Sequence, residues 1–343
     1  MRLKNISQND LCENKRGSCR GTPNMDQHTD HSTNQSADDE SIHPGSASTV
    51  LRRALASIRS FSLSLRRTIN TLPEHCVCGH RNTALEPEPY STISVVAISD
   101  SHSMHSTLQG DWPTADIFVH TGDLTQYGTR EELQSAIAWI GSLPFMHKIV
   151  IAGNHDIGLD KTCTYRSALA CRAGSYATPE EIDALIAAMR QNNIIYLSPE
   201  QPSVKLFVKE CCVEIYGLPF SPLSIGPSAF MRPRSEDTWA EVGGRHYDIL
   251  LSHAPPRGHL DQNRHGDHIG CDHFLAAIER IKPTVVVFGH IHEAHGSDTL
   301  TWADGTTTAL YNAAIMNKDQ TLSPLTMFDI ILRKNSVAAI TRA

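Results

Sequence analysis

The sequence predicts a layered α/β fold. Short apolar runs rich in β-branched residues are bounded by glycine or polar residues, as expected of buried strands. Segments with helical patterns lie between several of these runs, which is the arrangement of a layered α/β domain. Five of the runs are followed closely by Asp, Asn or His, and ligands collect beyond the carboxyl ends of strands in such folds. The pattern therefore indicates one polar crevice supplied by five strand ends.

The five strands are predicted in a fixed order along the chain. They cover about residues 93–99, 116–120, 148–152, 248–252 and 284–288. The polar residues that follow them, in the same order, are Asp100 and His102, Asp123, Asn154, His253, and His290 and His292. Asp100 and His102 are two positions apart, so an extended chain points both side chains the same way.

Capping signals mark two of the predicted helices. Thr129 stands three residues before Glu132, which is the spacing of a capping box. Thr178 is followed by Pro179, a favoured first helical residue. The predicted helices cover about residues 129–141, 178–191 and 272–281. Further strands are predicted as a hairpin over 203–217, at 307–312 and at 325–332, and residues 157–177 are expected to form a loop over the crevice.

The first 90 residues differ from the rest of the chain. Residues 1–49 are polar and without period, which predicts a disordered tail. Residues 50–72 predict a basic amphipathic helix that could pack on the folded domain, lie on an anionic membrane or bind a partner. Residues 73–90 read as a linker. Their soft ligands are too closely spaced to wrap easily around one zinc ion: His75, Cys76, Cys78 and His80.

Composition gives no support for a nucleic-acid-binding, membrane-spanning or secreted protein. The chain has 343 residues with 40% hydrophobic residues, enough for one large core, and its net charge of -7 gives no argument for nucleic-acid binding. No apolar run is long enough to span a membrane, and the amino-terminal residues lack the apolar core of a secretion signal. The nine scattered cysteines then read as reduced thiols. We therefore expect a cytoplasmic protein.

The seven strand-end residues are two carboxylates, one amide and four imidazoles, with no thiol. This mixture suits Mn²⁺, Fe or Zn²⁺. Seven ligands are too many for one tetrahedral ion but fit two ions that share a carboxylate, and two-metal sites clamp an in-line displacement at phosphorus. Any single histidine is more often structural than a ligand, so the argument depends on all five motifs occurring in order. Four other histidines are assigned structural or exposed roles: His120, His147, His246 and His273.

Over about residues 93–315 the motifs resemble those of the calcineurin-like metallophosphoesterases, and within them the metallophosphoesterase-domain-containing (MPPED) branch. The motifs that carry the resemblance are Asp100-x-His102, His120-Thr121-Gly122-Asp123, Gly153-Asn154-His155-Asp156, His253-Ala254-Pro255-Pro256 and Gly289-His290-Ile291-His292. The resemblance implies a four-layer αββα β-sandwich for a domain over 91–343. Some members of the branch lack the first histidine of the last motif, which this chain keeps as His290.

The resemblance also implies roles for the site residues. One metal would be held by Asp100, His102, Asp123 and His292, and the other by Asp123, Asn154, His253 and His290, with Asp123 bridging. A metal-bridging hydroxide would attack phosphorus, and Asn154 would help to stabilise charge on the phosphoryl oxygens. His155 would be the general acid for the leaving oxygen, oriented by Asp156.

The expected activity is hydrolysis of a phosphodiester with two divalent metal ions, Mn²⁺ being favoured over Fe or Zn²⁺. A cyclic nucleotide is one candidate substrate. The alternatives are a phosphoprotein phosphatase, a nuclease, or a regulatory module that binds metal and nucleotide but turns over slowly. Arg257 and Arg166 could grip a phosphate, although surface salt bridges would explain both arginines equally well.

Overall fold

The structure, a computed structural model, describes residues 90–108, 110–163, 176–223, 228–317 and 321–334. The strands are β1 (Tyr90–Ile98), β2 (Ile117–Thr121), β3 (His147–Ile151), β4 (Ile194–Tyr196), β5 (Ser203–Val208), β6 (Cys211–Leu218), β7 (Ser221–Pro222), β8 (Met231–Arg232), β9 (Ile249–Ser252), β10 (Val285–Phe288), β11 (Gly296–Thr301), β12 (Thr307–Asn312) and β13 (Thr326–Arg333). The helices are α1 (Arg130–Ser142), α2 (Pro179–Gln191) and α3 (Asp272–Ile281). The predicted tail, amphipathic helix, linker with its His and Cys cluster, and Arg166 lie outside the described residues.

Two large sheets and one small one organise these strands. The first sheet has the order β13-β1-β2-β3-β4, in which β1 to β4 are parallel and β13 is antiparallel to β1. The second has the order β11-β12-β10-β9-β6-β5, with parallel strands in the middle and antiparallel strands at both edges. Strands β7 and β8 form a separate short pair. Both large sheets therefore present the carboxyl ends of their central strands at one edge.

Apolar side chains pack the sheets and helices into four layers. Val95 and Ala97 of β1 join a buried cluster with residues of the second sheet, such as Ile249 and Val287. The alternate residues of the first sheet pack against α1 and α2, and the outer face of the second sheet packs against α3. Because the central strands are buried on both faces, they read as continuous apolar runs. The αββα fold expected from the sequence is confirmed.

The helix starts also agree with the sequence. Both predicted caps form full capping boxes, with Thr129 paired to Glu132 and Thr178 paired to Glu181. The predicted hairpin is present as antiparallel β5 and β6. Strands β4 and β11 were not predicted, because β4 has only three residues and the exposed edge strand β11 lacks an apolar face.

The expected loop over 157–177 is described only in part. Its first residues, Ile157–Leu159, form a buried 3-10 turn, and residues 164–175 are outside the described ranges. Within the described ranges, no helix is long and apolar enough to cross a membrane.

Candidate metal centre

The strand ends of the two large sheets meet and are joined by hydrogen bonds that backbone amides donate. The amide of Asp100, after β1, donates to the carbonyl of Gly122, after β2, at 2.9 Å. Between the sheets, the amide of His290 donates to Oδ2 of Asp100 at 2.8 Å, and within the second sheet the amide of Gly289 donates to the carbonyl of His253 at 2.9 Å. The parallel order of the strands therefore delivers the side chains that follow them to one place.

Three overlapping clusters of potential metal ligands lie there. They are Asp100 with His102 and His292, His102 with Asp123 and His155, and Asp123 with His253 and His290, and in each the ligand atoms lie within 4.8 Å of one another. The Asn154 side-chain oxygen lies 3.0 Å from Nε2 of His253, at the edge of the third cluster. The structure thus brings all seven sequence-predicted ligands together, and Asp123 is shared by two of the clusters. The histidines expected to be structural or exposed, His120, His147, His246 and His273, belong to none of the described clusters.

Several of these residues have a left-handed backbone. The φ angles are 56° at Asp100, 43° at His102, 53° at Asp123 and 70° at His290. Non-glycine residues rarely adopt this conformation, and where they do they tend to cluster at functional sites. Each turn re-aims the chain as it leaves a strand, so the ligand side chains point into the shared crevice instead of continuing the sheet.

Two glycines leave room for the carboxylates. A Cβ added at Gly289 would overlap Oδ2 of Asp100 and Oγ of Ser99. A Cβ added at Gly153 would overlap Oδ1 of Asp123. The glycine of each motif therefore permits the close approach of backbone and carboxylate that the centre requires.

The hydrogen-bonding geometry and the pKa of His253 fit a site that attracts positive charge. Nδ1 of His253 lies 2.9 Å from the carbonyl of Thr121, so this nitrogen carries a proton and donates. Nε2 of the same ring faces two acceptors, Oδ1 of Asn154 at 3.0 Å and Oδ2 of Asp123 at 3.4 Å. If the ring were neutral, the lone pair of Nε2 would face these two oxygens and be repelled by them. The arrangement therefore requires a proton or a metal ion between Nε2 and the oxygens. Burial lowers the pKa of His253, but the attraction of Asp123 and Asp100 outweighs it and raises that pKa to about 9.

The carboxylates of the centre are held in their ionised form. Burial raises the pKa of Asp100, but the close approach of the His292 ring and the charge of His253 outweigh burial and lower it. The same balance lowers the pKa of Asp123 well below its ordinary value, with His253 and His155 as the main charges. Oδ1 of Asp100 is buried without a well-formed hydrogen bond, although Nε2 of His292 lies 3.3 Å away. An ionised, incompletely bonded carboxylate oxygen among imidazoles suits a divalent cation.

The expectation that Asp156 orients His155 is wrong. The carboxylate of Asp156 accepts hydrogen bonds from the amides of Leu124, Thr125 and Gly153 at 2.9–3.3 Å and from the Thr125 hydroxyl at 2.8 Å. It is fully buried and forms these hydrogen bonds instead of one to the His155 ring, and it ties the turn after β2 to the turn after β3. Burial, with a smaller contribution from Asp123, raises the pKa of Asp156 to about 7.

The carbonyl of Gln126 takes the role expected of Asp156. Nδ1 of His155 lies 2.7 Å from this oxygen, so Nδ1 donates and Nε2 is left to face the centre. The His155 ring packs edge-on against the His102 ring with centroids 4.7 Å apart. A backbone carbonyl leaves no signal in a sequence, which is why Gln126 was not singled out. His155 is thus placed either to bind a cation or to hold a proton.

Comparisons with known proteins agree with this geometry. The family model for calcineurin-like phosphoesterases matches residues 93–294. Over 265 residues the chain is 31% identical to human metallophosphoesterase domain-containing protein 1, covering 73% of this chain and 74% of that protein. A Caenorhabditis elegans protein, UPF0046 protein K07C11.7, is 33% identical over 67% of this chain and 71% of its own length.

A third relative is much longer than this chain. The probable rhamnogalacturonate lyase C of Emericella nidulans is 34% identical over 230 residues, which are 66% of this chain but only 20% of that protein. The chain therefore spans about a fifth of that relative's length. The match of the family model across the strand-end motifs and the similarity to the human protein together show that the chain belongs to the calcineurin-like phosphoesterase family.

Proposed function

We propose that the chain hydrolyses a phosphodiester with two divalent metal ions, and that cyclic nucleotides are a candidate substrate class. The observation that carries the proposal is the overlap of the ligand clusters. The cluster of Asp100, His102 and His292 and the cluster of Asp123, His253 and His290 are joined through contacts of Asp123. A carboxylate placed between two histidine-rich sets is what a pair of cations sharing one ligand requires.

The residues present fit two such ions. Asp100, His102 and His292 would hold one ion and Asn154, His253 and His290 the other, with Asp123 shared. The absence of a thiol from this set favours Mn²⁺, with Fe or Zn²⁺ as the alternatives. Bound ions would supply an activated water and polarise the phosphoryl oxygens.

The protein's own groups would position the reaction. The Asp123 carboxylate accepts the His155 amide at 2.7 Å, which fixes one oxygen and leaves the other facing the histidines. The hydrogen bond from His253 to Thr121 fixes the tautomer that presents Nε2 to the centre. His155, held through Nδ1 by the Gln126 carbonyl, would carry a proton at Nε2 and donate it to the leaving oxygen.

The test is an assay of the purified full chain. Metal-free protein, protein reloaded with Mn²⁺ and reloaded protein treated with EDTA are compared on bis-p-nitrophenyl phosphate, a cyclic nucleotide and a phosphopeptide. We expect hydrolysis of the two diesters only in the Mn²⁺-loaded sample. Hydrolysis of the phosphopeptide alone would favour a protein phosphatase. Two bound metals without turnover of any ester would favour a regulatory module. The cytoplasmic location and the role of residues 50–72 stay predictions.

A further inference from the structure

The side chain of Glu132 holds the loop between β2 and α1. It closes the capping box of α1, but its carboxylate accepts more hydrogen bonds than a cap needs. Oε1 accepts from the hydroxyl of Ser103 at 2.8 Å and from the amide of Gln126 at 3.3 Å. Oε2 accepts from the amides of Tyr127 at 3.0 Å and Thr129 at 3.1 Å. The bonds to Ser103, Gln126 and Tyr127 lie outside the capping box.

One peptide group links Glu132 to His155. The amide of Tyr127 and the carbonyl of Gln126 belong to the same peptide bond. Its N–H donates to Oε2 of Glu132 at 3.0 Å, and its C=O accepts from Nδ1 of His155 at 2.7 Å. The bond is trans and planar, so the N–H and the C=O point in opposite directions and cannot turn separately. Glu132 therefore fixes the direction of the carbonyl that orients the His155 ring.

The peptide group also transmits the effect of the negative charge. A hydrogen bond to an ionised acceptor is stronger than one between neutral groups. Hydrogen bonds in a chain polarise one another, so an amide bound by a carboxylate leaves its carbonyl a stronger acceptor. The 2.7 Å from Nδ1 of His155 to the Gln126 carbonyl is at the short end of the range for such bonds. A carboxylate therefore acts on the ring as expected of Asp156, but it belongs to Glu132 and acts through a peptide.

The nearest candidate ligand does not depend on Glu132 in the same way. Ser103 follows His102 directly, so the bond from Ser103 to Glu132 reaches the turn that carries this ligand. That turn is also held by the backbone, because the amide of His102 donates to the carbonyl of Asp123 at 3.0 Å. Loss of the Glu132 carboxylate should therefore disturb the His155 ring and leave the metal ligands in place.

We propose that Glu132 is a positioning residue for proton transfer by His155, acting through the peptide between Gln126 and Tyr127. This rests on the proposed function, in which His155 gives a proton to the leaving oxygen. Glu132 itself touches neither the substrate nor the ions in this account. The rival explanation is that Glu132 only caps α1, and the two explanations differ in what an alanine at this position changes.

The matched control is Glu181, which closes the capping box of α2. Like Glu132 it is half-buried, but its carboxylate binds the amide of Thr178 and the guanidinium of Arg130 and does not hold the His155 loop. Glu132→Ala and Glu181→Ala are assayed as full-length, Mn²⁺-loaded proteins on a cyclic nucleotide and on bis-p-nitrophenyl phosphate. Metal content is measured by elemental analysis.

The two variants should differ in their rates. Glu132→Ala should lower kcat on the cyclic nucleotide by about tenfold to hundredfold, the effect of a small misplacement of a reacting group. It should lower kcat on the nitrophenyl ester much less, because that leaving group needs no proton. Glu181→Ala should keep both rates, and both variants should keep their metal. Equal losses on the two esters, loss of a metal equivalent, or the same losses in Glu181→Ala would overturn the proposal.

A double-mutant cycle tests whether Glu132 acts through His155. With His155 already replaced by alanine there is no ring to orient, so adding Glu132→Ala should cause no further loss on the cyclic nucleotide. A full additional loss would refute the link. Thermal melting checks that each variant is folded. If Glu132→Ala is not, Glu132→Gln keeps the shape, exchanges one acceptor oxygen for a donor and serves for the same measurements.

Hydrogen exchange of the backbone provides a readout that needs no turnover. The amides of Gln126 and Tyr127 should exchange faster in Glu132→Ala than in the wild type, and at the wild-type rate in Glu181→Ala. Unchanged exchange in Glu132→Ala would refute the proposal whether or not the protein is an enzyme. Faster exchange in a protein that hydrolyses no diester would refute the proposed reaction and leave the hold of Glu132 on this peptide standing.

Discussion

Replacing His155 with alanine should remove a proton donor without removing a metal ion. The imidazole Nδ1 is bound to the Gln126 carbonyl at 2.7 Å, so Nε2 is the atom that would exchange a proton with the leaving group. The contact of His155 with Asp123 at 2.7 Å uses the backbone amide, which alanine keeps. The substitution therefore removes the ring and leaves the position of Asp123 supported.

The size of the effect depends on the leaving group. General acid catalysis typically contributes about 10²–10⁴-fold, which corresponds to roughly 3–5 kcal/mol of transition-state stabilisation. A cyclic nucleotide departs as an alkoxide, a poor leaving group that needs the proton, so most of this loss should appear there. A nitrophenolate departs without protonation, so bis-p-nitrophenyl phosphate should lose much less.

The assay compares kcat on the two substrates with metal content measured by elemental analysis. His147→Ala is the matched control, because His147 is half-buried at the other end of β3 and should leave both rates unchanged. Equal rate losses on both substrates would show that His155 does not donate the proton. Loss of a metal equivalent would show instead that His155 is a ligand, as its place in a cluster with His102 and Asp123 allows.

Four further outcomes are expected. Asp123→Asn should abolish hydrolysis and sharply lower metal content, because Asp123 belongs to two of the ligand clusters. Near-normal metal content in the variant would show that Asp123 does not bridge two ions. Gly289→Ala should also lower metal content, because its Cβ would displace the carboxylate of Asp100; unchanged metal binding with a folded circular dichroism spectrum would refute that steric argument. Burial lowers the pKa of His120 to about 3 in the folded chain. Below pH 6.5 this histidine is therefore protonated in the unfolded chain and neutral in the folded chain. The free energy of unfolding should then fall, as the pH is lowered, by up to about 1.4 kcal/mol per pH unit. Urea midpoints at pH 7.5 and 5.5 for the wild type and His120→Gln measure this loss, which the variant should show less strongly. A chain that begins at Tyr90 should fold and keep its activity, since every candidate ligand follows it; insoluble protein would mean that residues 50–72 belong to the core, whereas sedimentation of only the full-length chain with anionic vesicles would favour a membrane role.

The fold was predictable where burial leaves a pattern in the sequence. The central strands are buried on both faces, so most of their residues form uninterrupted apolar runs, as in residues 149–152. Helix starts were predictable because Thr129 stands three positions before Glu132 and Thr178 stands directly before Pro179, and both threonines cap helices in the structure. Strand β4, by contrast, has three residues next to a helix end, too few to show a period. Its place in the sheet is decided by pairing with β3, which sequence periodicity does not report.

The side chains of the site were predictable, whereas the backbone groups that orient them were not. Asp, Asn and His at strand ends are distinctive, so the seven candidate ligands could be named in advance. The carbonyls of Gln126 and Thr121, which fix the rings of His155 and His253, are present in every residue and carry no signature. Asp156 was assigned to His155 because the two are adjacent. In the turn its carboxylate meets backbone amides instead, since adjacency along the chain is not adjacency of side chains.

The candidate centre gathers features that are each unfavourable alone. Ionised carboxylates at Asp100 and Asp123 are buried, and a buried charge costs several kcal/mol unless a partner meets it. The turns that carry them are left-handed, and the glycines behind them leave no room for a side chain. Four imidazoles offset the negative charge only as far as they hold protons, which His253 does most readily. Divalent cations would neutralise both carboxylates at once and replace the protons on the imidazoles. Bound ions should therefore stabilise the left-handed turns that carry the carboxylates, and these turns in turn hold the ligands in place for the ions. Hydrogen bonds between the two sheets, such as that from the His290 amide to the Asp100 carboxylate, then keep the ligands close enough for the ions to bind without first ordering a loop.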